Sequence, residues 1–397
     1  MKNIFVAISL IITLSVSDGF SQNRSIVFSE KPWMDIQATA KKENKLIFLD
    51  AYASWCGPCK WMAANIFSND TIADYFNKNF VCAKIDMEKG EGIALARQYE
   101  VRAYPTLLFI DADGKMIHKR VGASRKIKDY IDLVLIAQDP DKCLSATLKK
   151  YQEGNLEPVF IFSYLSNLKD AYMPVADPLK KYILTQKSED LISQANWNII
   201  YRFSDNINSA EFIYLVSHHK EFEQRYTKDS VQDKIDNVYS YELNKFFRMK
   251  PFPQSGWDNL IEVIKKSGYS KANEIILDAQ LSLYEYKKDT GGYLDLTYKE
   301  VDMVYWNDYN KLNNAASRVN SFTGSKKHLE KAAEWSKRSI ELNDGPFNND
   351  TFAAILFKLG KKEEAIKTQK KVIELARKNN LSTKNYENTL LKMQSGK

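Results

Sequence analysis

Trp55-Cys56-Gly57-Pro58-Cys59-Lys60 is the stretch that decides how this chain folds. Two thiols separated by two residues can close a small disulfide and open it again. The apolar run Leu46-Ile47-Phe48-Leu49 just upstream predicts a strand feeding a turn and then a helix. That order places Cys56 at a helix N-terminus, where unpaired backbone N–H groups and the helix dipole favour a thiolate. Such settings lower a cysteine pKa from about 8.5 to roughly 3.5–7.5. Cys56 would then attack a partner's disulfide, exposed for that purpose, and Cys59, one turn on and beneath it, would resolve the mixed disulfide. A structural bridge or half of a zinc site would also use this spacing. Zinc needs a second ligand pair at comparable spacing, which neither the four histidines nor the other two cysteines provide. Redox chemistry is the stronger reading, with no metal and no bound cofactor expected.

Working outward, several further segments stand in a telling order. Asp50 lies six residues before Cys56, and Lys84-Ile85-Asp86-Met87-Glu88-Lys89-Gly90-Glu91-Gly92 follows the next apolar run. Tyr104-Pro105-Thr106, Asp111-Ala112-Asp113-Gly114-Lys115 and Gly122 come after them. Over residues 28–138 this pattern resembles a thioredoxin-fold domain, close to the periplasmic C-terminal domain of DsbD-type electron transporters. The resemblance implies that Asp50 is a buried carboxylate behind the dithiol, suited to take the Cys59 proton, with Lys84 beside it. It implies that the Tyr104–Pro105 peptide is cis and faces the sulfurs, and that Trp55 covers one side of them. Gly57, Pro58, Tyr104 and Pro105 join Trp55 as the expected substrate-binding rim. The Gly-Pro pair between the cysteines resembles that of reducing thioredoxins, whose potential is near −270 mV, against about −120 mV for a strong oxidant. A protein-disulfide reductase is therefore expected, acting on disulfide-containing proteins and fed by a membrane donor of the DsbD type. A disulfide oxidase or isomerase is the alternative direction.

The 397 residues exceed one small domain. A hydrophobic content of 44% with 12% aromatics supports packed cores rather than disorder. The net charge of +7 is spread over both halves without the concentrated basic stripe that nucleic-acid binding wants. Residues 1–21 read as a signal peptide: Lys2, the apolar stretch Ile4 to Val16, and Gly19-Phe20-Ser21 before cleavage at Ser21/Gln22. A periplasmic or secreted protein is expected, where disulfides persist; an uncleaved anchor is the other reading. Cys82, in the run Phe80 to Ile85, is expected to be a small buried apolar group, and a Cys82–Cys143 bridge is open.

The expected order from the first helix is helix 33–43, strand 45–50, helix 57–78, strand 80–86, helix 91–99, strand 106–110, strand 115–121 and helix 124–138. Strands alternating with helices imply parallel pairing, and the Asp113-Gly114 turn implies an antiparallel hairpin. That mixture fits what the resemblance implies, an α/β thioredoxin fold with a mixed central sheet flanked by helices over 22–139. An all-α helical-hairpin region follows at 140–397. Within it, Ala332-Ala333-Glu334-Trp335 recurs as Ala365-Ile366 at a spacing of 33 (365 − 332), which reads as tetratricopeptide-like over 325–380. The helical half could bind protein, even as a client scaffold with the first domain as its docking module. Trp197, Trp257, Trp306 and Trp335 are expected in the packing between hairpins, and His218-His219 as a solvated patch.

Overall fold

The computed structural model describes residues 24–395, so the expected leader and its cleavage point lie outside the described residues. Packing divides the chain into two compact units, one ending at Phe203 and the other beginning at Ser204.

The first unit is built on α1 (Trp33–Glu43), β1 (Leu46–Tyr52), α2 (Gly57–Asn65), α3 (Asp70–Asn79), β2 (Phe80–Asp86), α4 (Gly92–Gln98), β3 (Thr106–Ile110), β4 (Met116–Val121) and α5 (Ile127–Gln138). The four strands form one mixed sheet in the order β2-β1-β3-β4. β1 runs parallel to β2 and antiparallel to β3, and β3 and β4 form a hairpin. Gly114, at φ +85°, makes the turn of that hairpin, where the Asp111 N–H donates to the Lys115 carbonyl. β1 lies inside the sheet and is apolar on both faces, and successive side chains alternate between them. Ile47, Leu49 and Ala51 pack with Ile36 of α1 and Leu95 of α4. Phe48 packs on the opposite face with Met62 of α2, Phe76 of α3 and Tyr130 of α5. Asp50, two residues beyond Phe48, shares that second face, the one α2 covers.

The single helix expected over 57–78 is two. α2 stops at Asn65, and Asn69 begins α3 by accepting the Ile72 N–H on its side chain. Between them Ile66 and Phe67 are both 2% exposed, so burial of this apolar pair turns the chain. The helices expected at 91–99 and 124–138 are shorter, Gly92–Gln98 and Ile127–Gln138.

Past Pro140 the unit continues through α6 (Leu144–Gln152), α7 (Pro158–Asp170), α8 (Ala176–Ile183) and α9 (Gln194–Phe203). α6 starts on the sheet: its first N–H, from Leu144, donates to Nδ1 of His118 on β4 at 3.1 Å. Burial pushes the His118 imidazole down to about 4, which keeps it the neutral acceptor this bond needs. Cys82 and Cys143 are both buried and neither is in a disulfide. Burial raises the Cys82 thiol to about 12, leaving it an inert core group.

The second unit is helical throughout: α10 (Ala210–Ser217), α11 (His219–Arg225), α12 (Lys228–Phe246), α13 (Gln254–Lys266), α14 (Ala272–Lys287), α15 (Thr290–Val304), α16 (Tyr309–Phe322), α17 (Lys326–Leu342), α18 (Pro346–Lys358), α19 (Lys362–Lys378) and α20 (Lys384–Ser395). Trp257 and Trp335 are buried here, as is Trp197 in the first unit, whereas Trp306 is 40% exposed. His218 and His219 do not form a solvated patch, because the helix breaks between them. His219 is buried with Nδ1 2.8 Å from the Val216 carbonyl, and His218 stacks on Tyr214.

Three aspartates tie successive helices together in the same way. Asp236 on α12 receives the Tyr269 hydroxyl at 2.8 Å on one oxygen and Lys271 at 2.5 Å on the other. Asp278 on α14 receives Tyr305 at 2.5 Å and Lys311, and Asp302 on α15 receives the Trp335 indole and Lys331, each at 2.5 Å. Each aspartate has one donor 33 residues downstream, so the contact repeats with the helical hairpins. Removing one acceptor strands a buried donor. Asp236→Ala is expected to destabilise the protein by about 1–3 kcal/mol, read as a lower urea midpoint. Asp236→Asn, which keeps the acceptor for Tyr269, should lose less.

Candidate active site

The dithiol sits where β1 ends and α2 begins. Cys56 is the N-cap of α2, in extended conformation, and Pro58 follows in the first turn, where its missing N–H costs nothing. The two cysteines are joined as a disulfide with their Cα atoms 5.4 Å apart. The Cys59 N–H donates to the Cys56 sulfur at 3.1 Å, so a donor already points at the atom that carries the charge once the bridge opens.

Cys56 was expected to be exposed and Cys59 covered, but each is 2% exposed in the disulfide form. In the closed bridge Cys56, Cys59 and Ala53 form one buried cluster, and Tyr52 and Tyr104 pack against it. Around this buried pair Trp55, Gly57 and Pro58 are exposed. Where Gly57 would carry a Cβ there is no atom within 4 Å, so the approach past it is open. The Tyr104–Pro105 peptide is cis. Pro105 is buried, Tyr104 is half-buried, and the Pro105 carbonyl accepts the N–H of Gly122, at φ +95°.

Asp50 is wholly buried, on the face of β1 that α2 covers. In the parallel pairing its register partner is Lys84, whose Nζ lies 3.9 Å from Oδ2. Neither carboxyl oxygen has a hydrogen-bond partner among the described residues. Burial pushes the carboxyl up to about 7, with Lys84 drawing it partly back. A carboxyl poised near neutrality can hold or release a proton at ambient pH.

One side chain that the motif alone did not single out completes the surroundings. The Trp55 indole N–H donates to Glu88 at 2.8 Å, and the Trp55 ring meets Tyr104 edge-on at 5.9 Å. The 86–89 turn also holds the end of β1 and the active-site loop that follows it. The Met87 N–H donates to the Tyr52 carbonyl at 2.8 Å, and Lys89 donates to Ser54 at 3.2 Å. The acidic run after β2 was visible in the sequence, but which of its carboxylates would reach Trp55 depends on how that turn closes. Among the described residues no group of three or more His, Cys, Asp or Glu side chains could hold a metal ion.

The thioredoxin family model matches residues 30–133. Thioredoxin H4 of Arabidopsis thaliana is 39% identical over 87 residues, covering 22% of this chain and 68% of the relative. The thioredoxin of Chlorobaculum thiosulfatiphilum is 31% identical over 103 residues, covering 24% of this chain and 90% of the relative. The solution structure of a candidate disulphide-isomerase from Bacteroides thetaiotaomicron shares 41% identity, covers 30% of this chain and 96% of its own, and superposes with a TM-score of 0.28.

Proposed function

This chain belongs to the thioredoxin family through residues 30–133, and from that premise we propose that it is an exported protein-disulfide reductase working through Cys56 and Cys59. The observation that carries this reading is the closed Cys56–Cys59 pair at the start of α2, with Asp50 buried on the strand face that the helix covers.

In the reduced protein the first turn of α2 stabilises Cys56 as a thiolate. It attacks one sulfur of a substrate disulfide, forming a mixed disulfide and expelling the other substrate sulfur as a thiolate. The Asp50 carboxylate accepts the Cys59 proton. The Cys59 thiolate then attacks the Cys56 sulfur, releasing the second substrate thiolate and restoring the bridge. Two electrons pass from the dithiol to the substrate, and no other redox group takes part. Trp55, Gly57, Pro58, Tyr104 and Pro105 form the rim against which an extended substrate segment lies, and Lys84 tempers the charge of Asp50.

Disulfide-containing proteins are the substrates, and a membrane dithiol donor of the DsbD type restores the reduced form. Residues 1–21 direct the chain to the periplasm or outside the cell. No helix among the described residues is long and apolar enough to cross a membrane. The helical hairpins over 325–380 act as a tetratricopeptide-like surface for protein. Ala332 and Ala365, the two alanines that define the 33-residue repeat, are both fully buried, which supports that reading.

Equilibration in glutathione buffers tests the direction. A dithiol potential near −270 mV is expected. A value near −120 mV, that of a strong oxidant, would assign the protein to disulfide formation instead.

A further inference from the structure

The mouth of the dithiol carries a carboxylate whose charge is not matched by a cation. Glu88 is exposed at the rim, and its hydrogen-bond partners there are neutral donors, the Trp55 indole N–H at 2.8 Å and the Tyr104 hydroxyl. Among the described residues no lysine, arginine or histidine forms an ion pair with it. The neighbouring acid differs, because Asp86 is met by Lys89 at 3.3 Å and by the Glu88 backbone N–H at 3.1 Å. Lys89 also donates to Ser54, which fixes it beside Asp86. Opposite, the Tyr104 hydroxyl faces both carboxylates; burial and then their charge hold the phenol above its ordinary range. The Trp55 and Tyr104 rings meet edge-on at 5.9 Å, so one wall of the entrance is aromatic and carries a net negative charge at its edge.

We infer that Glu88 is a specificity-determining residue: it orients Trp55 and makes the dithiol prefer a disulfide whose attacked cysteine is flanked by lysine or arginine. The inference rests on the exchange chemistry proposed above but not on its direction, since a cationic flank must pass the same rim when electrons flow either way. A carboxylate with only neutral hydrogen-bond donors around it keeps its attraction for an incoming cation, whereas one already in an ion pair has spent it. The effect is that of an exposed charge pair, modest and screened by salt.

Two synthetic peptides test this, each with one internal disulfide and differing only in Lys or Glu beside the attacked cysteine. The second-order rate of each with the fully reduced protein is followed by Trp fluorescence at 20 mM and 500 mM salt, conditions chosen on either side of a Debye length of about 10 Å. The wild-type protein is expected to favour the lysine peptide about two- to fivefold at low salt, with the preference shrinking at high salt. Glu88→Gln retains an acceptor for the Trp55 N–H and should bring the ratio close to one while leaving the rate with the glutamate peptide equal or higher. Equal wild-type rates, a ratio that ignores salt, or an unchanged ratio in Glu88→Gln would each overturn the assignment. The wild-type salt series stands without the variant, so it can overturn the assignment even if the variant does not fold. Absence of exchange with both peptides would instead refute the dithiol chemistry itself, and the inference with it.

Discussion

The Cys56→Ser protein is expected to reduce protein disulfides no faster than the uncatalysed background, while Cys59→Ser accumulates a covalent one-to-one adduct with its substrate. The asymmetry follows from where each sulfur sits. Cys56 caps α2, and the Cys59 N–H points at its sulfur from 3.1 Å. A hydroxyl there has no accessible anion, so the first attack is lost. Both sulfurs are equally covered in the closed bridge, but Cys59 lies three residues further along, inside the helix, and meets the substrate only after it is attached. Its loss leaves the first attack intact and removes the expulsion step. Non-reducing electrophoresis and intact-protein mass measurement distinguish the two cases. Turnover by either single mutant at the wild-type rate would exchange or abolish the assigned roles. Adducts trapped in this way from the native compartment would also name the substrates.

Asp50→Asn is expected to slow turnover at pH 7 while making the disulfide form more stable at pH 8. Both effects come from one buried carboxyl whose ionisation lies near 7 in the folded protein instead of at 3.8. Between those two pH values the folded state holds a proton that the unfolded chain has released. Stability therefore falls as pH rises from about 4 to about 7 and is level beyond, where both states are ionised. A shift of that size corresponds to about 4 kcal/mol of lost stability at pH 8. Asparagine does not ionise, so the variant should gain several kcal/mol over wild type at pH 8, and the difference should vanish near pH 4. Urea midpoints across that range measure it. For turnover, the variant lacks the acceptor for the Cys59 proton, and a positioned base contributes about 100-fold at the low end of its usual range. The inflection near pH 7 in the wild-type rate profile should disappear with it. A variant with unchanged pH dependence in both measurements would show that Asp50 does not carry the proton.

Much of the site was legible because its parts are local or spaced by regular elements. Cys56, Pro58 and Cys59 fall within one helical turn, so strand–turn–helix order alone sets their geometry. The parallel pairing of Asp50 with Lys84 required the register of two strands, and the thioredoxin resemblance supplied it. The break between α2 and α3 was not legible. An apolar pair such as Ile66-Phe67 fits a continuous helix as well as a buried turn, and only the core it enters decides between them. Glu88 was hidden among five charged residues in a row of nine, any of which could have faced solvent. His118 carried no pattern at all. Its role as acceptor for the first N–H of α6 exists because β4 and Leu144 meet, 26 residues apart in the chain.

Order along the chain was enough to set out a mixed sheet, a dithiol at a helix start and a helical remainder, because strand period, helix period and the CGPC spacing are short-range quantities, and the resemblance made that sheet a thioredoxin-type one. Contacts across the fold decided the rest. Burial of both sulfurs in the closed bridge, a carboxyl held near neutrality, and three aspartates linking hairpins all depend on which surfaces exclude water. Desolvation and long-range pairing belong to the assembled molecule, and no window of sequence contains them.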